Sequence, residues 1–275
     1  MKNLFAIDID KSQAEFDHFV IRSVDQDLSK KQEETVDKLE EHEKKSALPT
    51  WLRIVKYLCF YFFLIVIGSM IKVGKEAFLN APVLCVLGML GGVIGIALWT
   101  VEKKKVKNTV KSDDFKNDVE SYSEFTEECF SELGVPNDAK QADIFTKPYK
   151  MKNGKEKRAS GWFEYVNQEV HLFLEGNMLC IADVNNVIGI PIEDMTGIYT
   201  INKRVSFLGW NKEEAFNKTP YKQYKMTSNQ YGVIFIKTHY SLRFSSFGEE
   251  YEILFPAHEL DTFTNLTGVE VKENA

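Results

Sequence analysis

The chain has 275 residues, of which 27% are charged, and a formal net charge of −6 at pH 7. That length allows one or two modest domains with cores of their own, and the acidic balance argues against nucleic-acid binding by bulk electrostatics. A hydrophobic share of 44% conceals an asymmetry, because about fifty very apolar residues stand together in a chain that is otherwise heavily charged.

Residues 1–50 carry 12 Asp or Glu against 8 Lys or Arg. The start, Met1-Lys2-Asn3-Leu4, leads into acidic sequence, so no secretory signal is expected and the first apolar run must itself direct membrane insertion. Phe16, Val20, Val24 and Leu28 recur every four residues, with Val36 and Leu39 continuing a weaker stripe. This spacing predicts an amphipathic helix with a thin apolar face, either solvated or docked on a partner. Phe5-Ala-Ile-Asp8-Ile-Asp10-Lys-Ser12 imitates the paired-aspartate start of haloacid-dehalogenase phosphatases. That chemistry needs well over a hundred residues of glycine-rich βα units around the motif. A membrane segment begins about forty residues later, so a short edge strand with solvated aspartates is expected instead.

Residues 51–101 read as a transmembrane hairpin. Ile54–Ile71 is one apolar run; at 1.5 Å per residue it spans about 27 Å, close to the hydrocarbon thickness. Lys56 lies in its first turn, where its ammonium is expected to snorkel to the headgroups, and Trp51 and Tyr57 suit the interface. The second run, residues 82–101, has no charge; Pro82 fits a first helical turn and Trp99 the far interface. Apolarity is all-round, unlike the single stripe of a soluble helix. Lys44, Lys45, Arg53 and Lys56 precede the first run, and Lys103, Lys104, Lys105, Lys107 and Lys111 follow the second. The short connection holds only Lys72 and Lys75 against Glu76. The basic bias predicts a multi-pass protein of the cell membrane with both termini cytoplasmic. Gly88, Gly91, Gly92 and Gly95 make overlapping GxxxG patterns, which let helices approach closely. They predict packing on the first helix or association between chains. Charge is confined to the ends of both spans, which argues against an ion or proton path.

Residues 102–146 form a juxtamembrane connector. The lysine cluster meets anionic headgroups, and Phe115, Val119, Tyr122, Phe125, Cys129 and Leu133 give the next helix an apolar face, ended by Gly134 and Pro136.

In residues 147–275 the period changes from about 3.6 to 2. Glu169–Glu175 alternates, breaks at Gly176-Asn177 and resumes at Met178–Ala182, which predicts a hairpin with a two-residue turn. Val233–Ile236 and Tyr240–Phe244 predict a second hairpin about Lys237-Thr238-His239, and Ser246-Phe-Gly248 turns into Tyr251–Phe255. Leu260, Phe263 and Leu266 then mark a short helix stopped by Gly268. About seven antiparallel strands and one terminal helix are expected, so the fold class is α+β.

The order of these elements resembles pleckstrin-homology-like and GRAM-like domains, in particular the bacterial kind carried by small membrane proteins. The resemblance covers residues 160–268. It rests on the hairpin at Gly176-Asn177, the Ile190-Pro-Ile-Glu-Asp-Met-Thr-Gly-Ile198 stretch and the ending Tyr251-Glu-Ile-Leu-Phe-Pro-Ala-His-Glu-Leu-Asp-Thr-Phe263. It implies an antiparallel β-barrel capped by a helix, and binding of a partner protein or membrane lipid rather than catalysis. A phosphoinositide site of that family needs a basic first hairpin loop, and Glu175-Gly176-Asn177 is not one. Basic residues gather instead at Lys147, Lys150, Lys152, Lys155, Lys157 and Arg158. A second group, Lys203, Arg204, Lys212, Lys218, Lys222 and Lys225, is interleaved with Phe207, Trp210, Phe216, Tyr221 and Tyr224. This second group is either a solvated loop whose aromatics pack on the sheet or a contact for an anionic surface, with Lys203, Arg204, Trp210, Lys218, Lys222 and Lys225 as the contact residues. Nucleic acid is not expected, since 147–275 holds 15 basic against 16 acidic residues.

Catalytic signatures are missing from the sequence. The histidines His18, His42, His171, His239 and His258 are scattered, and no HxxxH, GxSxG or P-loop spacing occurs. Cys59, Cys85, Cys129 and Cys180 include no CxxC pair, so reduced structural thiols are expected, with no metal and no cofactor. A non-enzymatic membrane protein presenting a cytoplasmic binding module is the expectation. The alternative is a subunit or immunity-type protector of a membrane complex, associating through the glycine hairpin.

Overall fold

A computed structural model describes residues 2–8, 17–152, 155–158, 163–208, 224, 226–228 and 233–273. The chain divides into two compact units, Gln26–Glu127 and a second made of Met1–Asp25 with Glu128–Ala275. The fold is α+β: a helical region with two long apolar helices, then a large, mostly antiparallel sheet with a C-terminal helix.

The helical unit begins with α1 (Gln26–Ser46) and α2 (Thr50–Val73). The six-residue α3 (Lys75–Asn80) leads into α4 (Pro82–Lys111), and α5 (Asp113–Glu132) follows a break at Ser112. Helices α2 and α4 each contain an 18-residue window of mean hydropathy 2.2, long and apolar enough to cross a membrane. Pro82 opens α4, where its missing N–H costs nothing. That helix does not stop at the apolar boundary but runs on through the lysine cluster to Lys111. At the other end of the unit, His42 Nε2 on α1 lies 2.8 Å from Asp118 Oδ2 on α5, with the imidazole edge-on to Phe115.

The β unit starts at the N-terminus, which departs from the helical expectation for this region. β1 (Lys2–Asn3), β2 (Ala6–Asp8) and β3 (Val20–Ser23) are strands, and the helix of the stripe begins only at Gln26. Val20 and Val24, two residues of that stripe, belong to the β unit. The reason is tertiary: Leu4, Phe5 and Phe19 are buried in the core of a sheet formed by residues far along the chain. Phe19 packs edge-on to Tyr251 and Phe244 at centroid distances of 5.0 and 5.5 Å. Asp8 ends β2, and Asp10 lies outside the described residues.

The remaining strands are β4 (Lys140–Lys152), β5 (Lys155–Arg158), β6 (Tyr165–Glu175), β7 (Met178–Ala182), β8 (Asn186–Pro191), β9 (Met195–Ile201), β10 (Val205–Leu208), β11 (Thr227–Ser228), β12 (Val233–Ile236), β13 (His239–Ser246), β14 (Glu249–Pro256) and β15 (Val271–Glu273). Helix α6 (Leu260–Thr267) stands between the last two. The main path is β11-β12-β10-β6-β4-β14-β13-β9-β15, with β7 and β8 branching from β6. Among the described residues this path stays open and closes no barrel. β1 on β14, β2 on β4, β10 on β6 and β15 on β9 are parallel; the other pairings are antiparallel.

The β6–β7 hairpin turns at Gly176-Asn177 with φ 61° at Gly176, a left-handed value that glycine adopts without steric cost. The β13–β14 hairpin turns at Phe247-Gly248, both with positive φ. The strands flanking Lys237–His239 do not form the expected hairpin. β12 pairs with β10 and β11, while β13 pairs with β14 along eight residues and with β9. β13 thereby fills both of its edges with longer partners than β12 offers.

Alternation along β4 and β14 serves two cores. Ile144, Ile253 and Phe255 face a large cluster with Leu172, Ile181, Leu242, Phe244 and Phe263. Phe145 and Leu254, their neighbours in sequence, face a smaller cluster with Val205, Phe207, Ile234 and Ile236. Phe263 of α6 stacks on Phe255 at 4.1 Å and is fully buried, so the terminal helix is a structural part of the larger core. At the start of the sheet, Cys129 and Leu133 are buried and Phe130 lies 4.4 Å from the His171 ring.

Candidate functional site

Three places bring chemistry-bearing residues together. The first is the seam of the apolar hairpin. Gly88, Gly91, Gly92 and Gly95 are the buried positions of α4, with Cys85. Each faces α2: a Cβ at Gly92 would stand 2.6 Å from the Phe63 ring, one at Gly91 3.3 Å from the Cys59 carbonyl oxygen and one at Gly95 3.3 Å from the Phe60 ring. A Cβ at Gly88 would collide with Val66. From Gly88 through Gly92 to Gly95 the partners on α2 descend from Val66 through Phe63 to Phe60, so the two helices run antiparallel. Other large side chains point away from the seam: Leu58, Tyr61, Leu64, Val83, Leu87 and Val93 are all exposed.

Lys56 closes one end of this seam. It does not reach outward as expected; it is 5% exposed, and its ammonium donates to the Glu102 carboxylate on α4. The inward partner decides its direction, because a charge buried with its counter-ion avoids the cost of standing alone. The Tyr57 ring lies 4.8 Å from the same ammonium. Arg53 donates to the Leu48 carbonyl oxygen at 2.9 Å, and Lys103 sits over Trp99 at 4.4 Å.

The second place is the basic–aromatic segment after β9. Lys203 and Arg204 are exposed. The Arg204 guanidinium lies 4.7 Å above the Phe235 ring, and Lys203 Nζ is 3.9 Å from Glu164 Oε1. Trp210, Lys218, Lys222 and Lys225 lie outside the described residues. Phe207 is buried and packs on Phe145 at 4.9 Å. His239 is 1% exposed, and burial, aided by the positive charge of Lys203, pushes its pKa down to about 4. It is therefore neutral at physiological pH.

The third place has no sequence signature at all. His258 and Glu259, in a 3-10 turn between β14 and α6, meet Asp143 of β4. His258 Nε2 lies 3.0 Å from Asp143 Oδ2 and 3.4 Å from Glu259 Oε1. The outer oxygens have their own donors: Asn167 Nδ2 donates to Asp143 Oδ1 at 2.8 Å and the Thr262 hydroxyl to Glu259 Oε2 at 3.0 Å. The Asp143 backbone N–H donates to Glu259 Oε1 at 3.2 Å. Burial raises the Glu259 pKa above the ordinary carboxyl value, with the neighbouring His258 charge opposing it. Residues 115 positions apart in the chain form this cluster, so no local spacing could reveal it; the only trace in the sequence is that His258-Glu259 interrupts the strand-to-helix joint.

Cys180 is buried, and desolvation lifts its thiol to about 11, so it is inert as a nucleophile. Cys129 is buried and likewise raised by desolvation.

No protein-family model, no curated protein and no solved structure matches this chain.

Proposed function

We propose that the chain is a non-enzymatic integral membrane protein. Hairpin α2–α4 spans the cell membrane with both termini cytoplasmic, and the β unit is a pleckstrin-homology-like module that binds a partner protein or the inner leaflet. The observation that carries the anchor is the packing of the hairpin: the glycines of α4 seat Phe60, Phe63 and Val66 of α2, and a belt of large apolar residues is left facing outward. Of 28 exposed large hydrophobic residues among those described, 21 fall between Trp51 and Val101. Such a belt in water would make the chain aggregate, whereas lipid covers it at no cost. The basic residues flanking both helices favour the cytoplasmic placement of the ends.

The reading of the module as pleckstrin-homology-like draws support from strand order. β4, β6, β7 and β8 form one antiparallel run and β9, β13 and β14 a second, followed by α6. Lys203 and Arg204 are the exposed cations that the contact would use. The alternative of a subunit that associates through its glycines is less favoured, because α2 already occupies that seam.

Two experiments on the full-length protein test this reading. After an alkaline carbonate wash the protein must stay with the membrane pellet; release into the supernatant overturns the anchor. A photo-reactive amino acid at position 204 must crosslink to a protein or to lipid more strongly than one at the exposed position 193. Equal, background labelling at both positions overturns the binding surface.

A further inference from the structure

We propose that Asp143, His258 and Glu259 form a binding site for one divalent first-row transition ion, zinc being the representative, with water completing its coordination. This goes beyond the membrane-anchor reading and does not depend on it.

Three features of the cluster carry the assignment. The first is spacing. Asp143, His258 and Glu259 each offer one ligand atom, and these atoms lie within 4.8 Å of one another; His258 Nε2 stands 3.0 Å from Asp143 Oδ2 and 3.4 Å from Glu259 Oε1. Ligand atoms each about 2.0–2.1 Å from a tetrahedral zinc ion stand roughly 3.3 Å apart. The side chains therefore need to open by only a few tenths of an ångström at their closest point to admit the ion.

The second feature is valence. Both carboxylate oxygens face the same imidazole nitrogen. A proton on Nε2 points along one line and serves one oxygen well; a cation between the three atoms bonds all of them. Two carboxylates and a neutral imidazole carry a charge of −2, which matches a divalent ion. The donors are nitrogen and oxygen with no thiolate, which suits zinc, manganese, iron or cobalt and does not suit copper(I) or an iron–sulfur cluster.

The third feature is the outer layer. Each carboxylate has its second oxygen held by a neutral donor, Asn167 for Asp143 and Thr262 for Glu259. That arrangement turns the inner oxygens inward and fixes them, as the outer partners of metal ligands do. The supports stand on β6 and in the first turn of α6, and Glu259 and His258 are mostly buried. An ion here would tie β4 to the joint between β14 and the terminal helix.

The test uses full-length protein in detergent, free of any histidine tag and stripped of metal by a chelator. Cobalt(II) chloride is added while the visible absorption is read, and zinc chloride is titrated by calorimetry. The expected result is one ion per chain, with zinc displacing cobalt. His258→Ala should abolish binding, whereas His42→Ala, which removes the imidazole beside Asp118, should leave it unchanged. Thr262→Val keeps all three ligands and should weaken binding about tenfold. Wild-type protein that takes up no more metal than His258→Ala overturns the site. Binding of equal strength in Asp143→Asn and Glu259→Gln overturns it as well, since the metal would then sit elsewhere.

Discussion

The two units use the same kind of residue in opposite ways. In the helical unit Gly88, Gly91, Gly92 and Gly95 of α4 let Phe60, Phe63 and Val66 of α2 pack close in the seam, while Leu58, Tyr61, Leu64, Leu87 and Val93 face out. In the β unit Phe145, Phe244, Phe255 and Phe263 are at most 1% exposed, and the charged residues face out. The difference shows where each unit obtains its stability. The β unit removes apolar surface from water by its own folding. The hairpin leaves its apolar belt exposed, to be covered by lipid on the proposed reading, and close approach of two helices holds it together.

Substitutions separate the two regimes, and the largest effect belongs to the β core. Phe263→Ala leaves a cavity against Phe255 and should destabilise the β unit by about 3–5 kcal/mol, measured by chemical unfolding, with the hairpin still extracted intact in detergent. Lys56→Met should cost the helical unit nearly as much, about 3 kcal/mol, because Glu102 is left without its ammonium partner. The double variant Lys56→Met/Glu102→Leu should recover most of that loss, and a double variant as weak as the single would sink the account of the pair.

Acid should weaken the β unit through His239. The folded-state pKa of His239 is depressed to about 4, while the unfolded chain takes up the proton near 6.5. Stability from this group is therefore full above pH 6.5 and is lost as the pH falls towards 4, by roughly 3 kcal/mol at the limit. His239→Leu should flatten that part of the stability–pH curve; an unchanged slope would show that another group sets it. The seam comes next: Gly92→Ala places a methyl against Phe63 and should lower the thermal midpoint of the hairpin by an amount equivalent to about 1–3 kcal/mol, while Gly68→Ala, with open space around it, should change little. Lys203→Ala should have the smallest effect on stability, within about 0.5 kcal/mol, because its side chain is exposed.

What the sequence made legible follows from range. The spans, the turn at Gly176-Asn177 and the helix carrying Phe263 are local patterns, and periodicity finds them. β1 and β2 were hidden because they are two and three residues long and pair in parallel with β14 and β4, far along the chain. The strand set begins at Lys140, ahead of the expected start at residue 147, because Lys140–Thr146 finds its register on β6, opposite Val166–Leu172. Spacing alone makes Lys56 a headgroup contact, because Glu102, 46 residues on, cannot be paired with it from the sequence. The Asp143–His258–Glu259 cluster escaped for the same reason, since a meeting of β4 with the β14–α6 joint is a property of the sheet order.

The most direct test of the membrane claim is topology in intact cells. Asn80→Cys, between the two apolar helices, and Asp138→Cys, ahead of β4, are treated with a membrane-impermeant thiol reagent beside the wild-type chain as blank. The account predicts that position 80 is labelled in intact cells and position 138 only after the membrane is opened. Labelling of both positions in intact cells, or of neither until the cells are opened, would contradict a hairpin that crosses the membrane twice with its β unit inside.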